Sequence, residues 1–439
     1  MPVERLEIDS IAAGGDGVAR ANGFVVFVPR TAPGDVARVE WSGKGRFGRG
    51  RAIALDVPSP VRVSPPCEHY VQDRCGGCQL QHMSYASQLD AKGAIVHDAL
   101  ERIGKRKVEE PRVRASARQW RYRRKLTLAL RRCGDRWIAG LHAYDSPDRV
   151  FELRDCPITE EAVVAVWRAV MDASDDLPRA AELRGAVRAS EAGFSFVLEG
   201  GTRWPRAERL LERVPALGAI WWIREDSHEP ELVAHRVSAA RGVETARDDS
   251  RASAAFSLTA AERADDDDAI PGASFEQINA SVAGELGRYV IERVTAHDPR
   301  TVVDAYSGTG ELAVSLSRAG IRVTAIELDS AAAARCGDLL TGQSRSIAAR
   351  VEEALPSALP ADVVVLNPPR MGVDERVTTE LQERAPETRA IVYVSCNPAT
   401  LARDLARLPR WRIASLVAFD MFPQTAHVES VCELVPEAA

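Results

Sequence analysis

Over residues 1–56 apolar positions come in short bursts separated by glycine. Phe24-Val25-Val26-Phe27-Val28 is a compact apolar run closed by Pro29, and residues 35–41 alternate roughly apolar and polar, the period of a half-buried strand. Gly14-Gly15-Asp16-Gly17 and Ser42-Gly43-Lys44-Gly45 supply the turns. Several short strands in so little chain predict a small β-barrel, a shape that often carries single-stranded nucleic acid. A proline-rich joint at 58–66 follows. Leu89, Ile95, Val96, Leu100 and Ile103 then predict a helix over 84–103. Strands return at 126–130 and 137–141. Residues 160–250 alternate helix and strand without a chemical motif, and 243–270 read as a polar, acidic loop or weakly ordered excursion.

After Pro271 the pattern changes. Thr301-Val302-Val303-Asp304 and the runs 322–327, 362–366 and 390–394 read as short buried strands with helical segments between them. That is the signature of a doubly wound parallel sheet. The 439 residues therefore divide into a barrel at 1–56, a central α/β domain at 57–270 and an α/β domain at 271–439. Helix 84–103 is expected to pack on the last of these.

Hydrophobic residues make up 45% and charged residues 27%, a soluble globular balance. No apolar run reaches membrane-spanning length, and MPVERLEIDS lacks the character of a signal peptide, so a cytoplasmic protein is expected. A net charge of -6 argues against a nucleic-acid partner. The signs are segregated, however. Arg112, Arg114, Arg118, Arg121, Arg123, Arg124, Lys125, Arg131 and Arg132 surround Trp120 and Tyr122, whereas acid gathers at Asp265-Asp266-Asp267-Asp268. The basic strip suits phosphate contact and base stacking, and reads equally well as a solvated strand face.

Asp304-Ala305-Tyr306-Ser307-Gly308-Thr309-Gly310-Glu311 joins the first C-terminal strand to a helix. Its glycines let backbone approach a ligand, and it lies at the carboxyl edge of the sheet, where open α/β sheets bind ligands. Glu327, closing the next strand, can accept two hydrogen bonds from ribose hydroxyls. A glycine pair of this kind also serves nicotinamide enzymes. Asn367-Pro368-Pro369-Arg370 after a later strand resembles a motif of methyltransferases that act on flat nitrogenous rings, which favours methyl transfer over redox use.

Strand 390–394 runs into Ser395-Cys396-Asn397-Pro398, which places Cys396 at that same edge. Near the C-terminus His427-Val428-Glu429 leads into an apolar strand. Carbon 5 of uracil is a poor nucleophile. A thiolate adding to carbon 6 makes it an enolate carbon that can take a methyl group, and a base must then remove the carbon 5 proton. Cys396 and Glu429 are candidates for the two roles.

Together, Cys67, Cys75-Gly76-Gly77-Cys78, Cys156, the Asp304 turn, Asn367-Pro368-Pro369-Arg370, Ser395-Cys396-Asn397-Pro398 and His427-Val428-Glu429 resemble the RNA 5-methyluridine methyltransferases. More narrowly, they resemble the iron–sulfur members acting on large-subunit ribosomal RNA. The resemblance runs through nearly the whole chain and is weakest at 160–255. It implies an N-terminal TRAM domain, a class I methyltransferase domain of Rossmann-like form, and a [4Fe–4S] cluster on Cys67, Cys75, Cys78 and Cys156; on spacing alone four zinc ligands fit nearly as well. It implies S-adenosylmethionine contacts from Gln277, Tyr306, Glu311, Glu327 and Asn367, with Cys396 as nucleophile and Glu429 as base. The expected partner is structured RNA, ribosomal before transfer RNA, with no membrane and no obligate protein partner. Asn367 stands where the family has Asp, and its amide donates where an ionised carboxylate only accepts. RNA cytosine-5 methylation would favour a Pro-Cys pair in place of Pro369-Arg370. A non-catalytic RNA-binding relic would have no need of Cys396 and Glu429.

Overall fold

Period-two alternation builds the first layer. The computed structural model describes residues 3–227, 229–236 and 277–437. Strands β1 (Val3–Ile11), β2 (Gly17–Ala21), β3 (Phe24–Val28), β4 (Val36–Lys44) and β5 (Phe47–Val57) close into a barrel in the order β1-β2-β3-β5-β4. Their inward residues, among them Leu6, Ile8, Val26, Val39 and Trp41, form its core. One expected turn is displaced. Strand β4 runs through Gly43 to Lys44, and the chain reverses at Gly45. Gly43 serves packing instead: a Cβ there would lie 2.8 Å from the Phe24 ring.

The middle of the chain holds α1 (Glu68–Val71), α2 (Tyr85–Arg102), the short β6 (Val113–Arg114), β7 (Lys125–Cys133), β8 (Arg136–Ala143), β9 (Ser146–Glu152), α3 (Glu161–Asp172), β10 (Glu182–Ser190), β11 (Gly193–Glu199), α4 (Ala207–Arg213), β12 (Leu217–Ile223) and β13 (Glu231–His235). Strands β7 to β13 form one sheet, β13-β12-β11-β10-β7-β8-β9, antiparallel except for β11 against β12. Val163, Val166, Trp167 and Val170 of α3 recur at helical spacing and are buried against Leu126, Leu128 and Phe196. The acidic run at 265–268, the loop at 243–270 and the boundary at 270–271 lie outside the described residues.

The C-terminal part comprises α5 (Ala280–Thr295), β14 (Thr301–Ala305), α6 (Glu311–Arg318), β15 (Arg322–Glu327), α7 (Ser330–Leu339), β16 (Arg345–Ala348), α8 (Val351–Ala358), β17 (Val363–Leu366), α9 (Glu375–Glu383), β18 (Ala390–Ser395), α10 (Pro398–Ala406), β19 (Trp411–Phe419) and β20 (Glu429–Pro436). The sheet order is β16-β15-β14-β17-β18-β20-β19-β6. Strands β14 to β18 are parallel, and β17 and β18 at the centre are buried throughout, as strands covered on both faces must be. The sheet is mixed rather than wholly parallel, because β20 runs antiparallel between β18 and β19.

Helix α2 packs on this C-terminal part. Ser84 caps its N-terminus by accepting from the Ser87 amide, and Val96 and Leu100 enter the same core as Leu401, Ala402 and Tyr393. On the same helix, fully buried Lys92 pairs with fully buried Asp420. Among the described residues no helix is long and apolar enough to cross a membrane.

Several arginines of the basic strip are spent internally. Arg121 forks onto both Asp155 oxygens at 2.9 and 2.8 Å and onto the Cys156 and Thr159 carbonyls. Arg131 pairs with Glu182, Arg114 pairs with Glu285, and Arg132 lies over Trp137. Such bidentate carboxylate contacts fix loops and leave less charge for phosphate.

Candidate active site

Parallel strands place their following loops along one edge, and the candidate residues gather there. Tyr306 follows β14, Glu327 ends β15, Asn367 follows β17 and Cys396 follows β18, all neighbours in the sheet. The Asn367 amide donates to the Ala305 carbonyl at 3.2 Å, tying two of these loops together. Glu327 is held in place as the Gly308 amide donates to Oε2 at 2.8 Å and the Asp329 amide to Oε1 at 2.9 Å. Each oxygen keeps a lone pair for a ribose hydroxyl.

The turn at 306–310 is tightly wound. Tyr306, Gly308 and Gly310 all have positive φ (+64°, +57° and +84°), and a Cβ on Gly310 would lie 2.2 Å from the Cys336 sulfur. Only glycine passes there. Asp304 is buried beneath the turn, where burial pushes its carboxyl up to about 7, and its Oδ2 has no partner. Gln277 and Glu311 are exposed, Gln277 just before α5 and Glu311 at the start of α6. Glu352, half-buried in α8, pairs with Arg376; burial raises the Tyr306 phenol, and the Glu352 charge adds to it.

Strand register brings the catalytic candidates together. Ser395 of β18 pairs with Ser430 of β20, so Cys396 and Glu429, one step further along, face each other across the strand ends. Both are half-buried. Burial pushes the Cys396 thiol up, the Glu429 charge adds to this, and the Arg370 guanidinium opposes both. Burial pushes the Glu429 carboxyl up to about 7, again against Arg370. Asn397 caps α10 by accepting from the Ala399 amide, and its Nδ2 donates to the Arg370 carbonyl at 3.2 Å. The nucleophile candidate thus sits at a helix N-terminus, beside the loop that carries Arg370. Both favour a thiolate.

Sequence reasoning gave Arg370 and Lys92 no role in the crevice and placed Arg123 only in the basic strip. Desolvation and the charges of these three cations push the His427 imidazole down to about 4, so it is neutral at pH 7. The signal for Arg370 was its place in the Asn-Pro-Pro-Arg motif. Arg123 and Lys92 arrive from the middle of the chain, and only packing brings them in.

The cysteines form a second site. Cys67, Cys75, Cys78 and Cys156 are all buried and line one cavity of about 210 Å³ together with Arg123. Burial pushes Cys75 and Cys78 up to about 12, and neighbouring cysteines add to the shift in each. Among the described residues no group of three or more His, Cys, Asp or Glu side chains is arranged to hold a metal ion. From the barrel, Arg30 donates to the Tyr70 and Cys75 carbonyls at 2.7 and 2.6 Å, clamping the cysteine loop.

The family model described as tRNA (Uracil-5-)-methyltransferase matches residues 345–435, which include Asn367, Cys396 and Glu429. The chain is 32% identical to an uncharacterized RNA methyltransferase of Thermosynechococcus vestitus, covering 98% of this chain and 97% of that one. It is 33% identical to an uncharacterized RNA methyltransferase of Gloeobacter violaceus, covering 97% and 95%. The crystal structure of Pyrococcus abyssi tRNA (uracil-54, C5)-methyltransferase with S-adenosyl-L-homocysteine superposes with a TM-score of 0.70 at 26% identity, covering 98% of this chain and 99% of that one. The chain belongs to the S-adenosylmethionine-dependent RNA (uracil-5-)-methyltransferases.

Proposed function

We propose that the chain methylates carbon 5 of one uridine in structured RNA, with Cys396 as nucleophile and Glu429 as base. The observation that carries this reading is the register that sets Cys396 against Glu429 at the edge where Tyr306, Glu327 and Asn367 also lie. The target base is extruded from its stack to reach the crevice. Cys396 Sγ bonds to carbon 6, and the ring electrons move onto the carbon 4 oxygen as an enolate, which positive Arg370 favours. S-adenosylmethionine supplies the methyl group as an electrophile, held by Gln277, Tyr306, Glu311, Glu327 and Asn367. Carbon 5 gains the methyl carbon while the donor's carbon–sulfur bond breaks. Glu429 takes the carbon 5 proton, the carbon 6–sulfur bond breaks, and the thiolate leaves. A carboxyl near 7 suits that task, since it is ionised in much of the population at neutral pH and still basic.

The four cysteines fit a [4Fe–4S] cluster. Four buried thiols line one cavity, and four thiolates are the usual complement of such a cluster. Cluster iron would hold them as thiolates despite their burial. Methyl transfer calls for no electron, so the cluster's role is to hold the cysteine loop.

Large-subunit ribosomal RNA is the proposed substrate, gripped by the TRAM-like barrel and the unpaired part of the basic strip. The Pyrococcus neighbour, named for position 54 of tRNA, favours transfer RNA as the second reading. Mapping 5-methyluridine across ribosomal and transfer RNA, with and without this protein, decides between them. One site should vanish with the protein. Loss of none overturns the assignment, and Cys396→Ala should fail to restore the lost site.

A further inference from the structure

Residues 420–428, between β19 and β20, form no helix or strand, yet residues distant in sequence hold them throughout. Lys92 Nζ donates to the Asp420 carboxylate and, at 3.1 Å, to the Phe422 carbonyl. Asn279 Nδ2 donates to the Met421 carbonyl at 3.3 Å, and the Tyr122 hydroxyl donates to the Pro423 carbonyl at 3.0 Å. The densest knot is at buried Gln424, a non-glycine residue at φ +70°. Its carbonyl accepts from the Gln79 and Leu80 amides, which directly follow Cys78, at 3.2 and 3.0 Å. Its amide donates to Gln88 Oε1 at 3.0 Å, and Gln88 Nε2 donates back to Gln424 Oε1 at 3.0 Å. The second Gln88 Nε2 hydrogen serves the Met83 carbonyl. Five residues beyond Gln424, Glu429 opens β20.

A left-handed non-glycine residue persists only where its surroundings over-determine it. Gln88 is 1% exposed and meets both polar groups that Gln424 presents to α2. Without it, a buried amide and a buried carbonyl oxygen lose their partners, and the turn has less to keep it left-handed. Cys396 depends on other supports, namely β18, the Asn397 cap and the Arg370 loop.

We propose that Gln88 is a positioning residue for Glu429, holding through Gln424 the turn that presents this carboxylate to the crevice. The inference rests on the reading of Glu429 as the base that resolves a Cys396–RNA adduct. It predicts a split that simple loss of stability cannot produce: adduct formation survives and adduct resolution does not.

The test uses the full chain, labelled S-adenosylmethionine, and total RNA from cells lacking the protein. Gln88→Ala should lower steady-state turnover about tenfold to a hundredfold, since misplacement by about 1 Å costs up to about a hundredfold. The denaturant-resistant protein–RNA adduct should accumulate, with first-turnover methyl incorporation and S-adenosylmethionine affinity near wild type. Gln424→Ala, which keeps the main-chain bonds, should show a smaller defect of the same kind. Wild-type turnover in Gln88→Ala, or adduct and turnover falling in parallel, overturns the proposal. Hydrogen exchange on the same preparations reads the coupling without chemistry: amides 424–430 should exchange faster in Gln88→Ala while 390–395 do not, and unchanged protection overturns it. A wild-type chain that forms no adduct on any RNA refutes the Cys396–Glu429 reading instead, and the exchange result then stands alone on the coupling.

Discussion

Replacing Glu429 by glutamine should stabilise the protein at alkaline pH while stopping its chemistry. Burial pushes the Glu429 carboxyl from its ordinary 4.5 up to about 7. The unfolded chain ionises near 4.5, so between that pH and about 7 the folded chain still holds a proton that the unfolded chain has released. Folded-state stability is therefore lost as pH rises through this window, and the loss is complete above it. At about 1.4 kcal/mol per pH unit the loss is at most about 3 kcal/mol. The crevice is partly open to water, which screens this to roughly 1–2 kcal/mol. Glutamine keeps the shape and never ionises. Thermal midpoints of wild type and Glu429→Gln should coincide near pH 4.5 and separate up to pH 7, with the variant higher by about 2–4 °C per kcal/mol. A separation that does not change with pH refutes the argument. The same carboxylate governs turnover: adduct resolution by the wild type should slow about tenfold per pH unit below 7, and the variant should retain adduct at every pH.

Three further perturbations follow from the geometry. Arg370→Ala removes the positive charge that opposes burial at Cys396, so the pH profile of adduct formation should move to the alkaline side; an unmoved profile refutes the role. Gly310→Ala forces a Cβ against the Cys336 sulfur at a left-handed position and should cost about 1–3 kcal/mol and weaken S-adenosylmethionine binding by calorimetry, whereas wild-type affinity and stability would show that the turn yields freely. Cys78→Ser should lose bound iron and visible absorbance, melt at lower temperature and bind RNA more weakly; a clusterless variant that folds and binds RNA like the parent contradicts a structural role.

The strands that carry the crevice were legible because their patterns are local. Strands β17 and β18 are covered on both faces and read as near-continuous apolar runs, β14 and β15 carry short apolar stretches, and the barrel strands announce themselves by period two. Strand β20 was visible as an apolar run, but its antiparallel insertion beside β18 was not. Pairing direction depends on the path of the 420–428 segment, and that path is set by contacts from α2 and the cysteine loop. Arg121 was misleading for a related reason. Its charge is plain in the sequence, but its consumption by Asp155 and the Cys156 loop is a matter of packing.

By itself, then, the amino-acid order determined the barrel strands, the strands of the C-terminal sheet, the turn at 304–311 and the chemical types available at the sheet edge, since each follows from hydrophobic period, turn chemistry and side-chain identity over a few residues. Only the tertiary structure decided which groups meet. The facing of Cys396 and Glu429, the convergence of the Arg370, Arg123 and Lys92 charges on His427, and the hold of Gln88 on Gln424 all join residues far apart in the chain. Such contacts are chosen by core packing and by the need to satisfy buried polar groups, which no local window of sequence records.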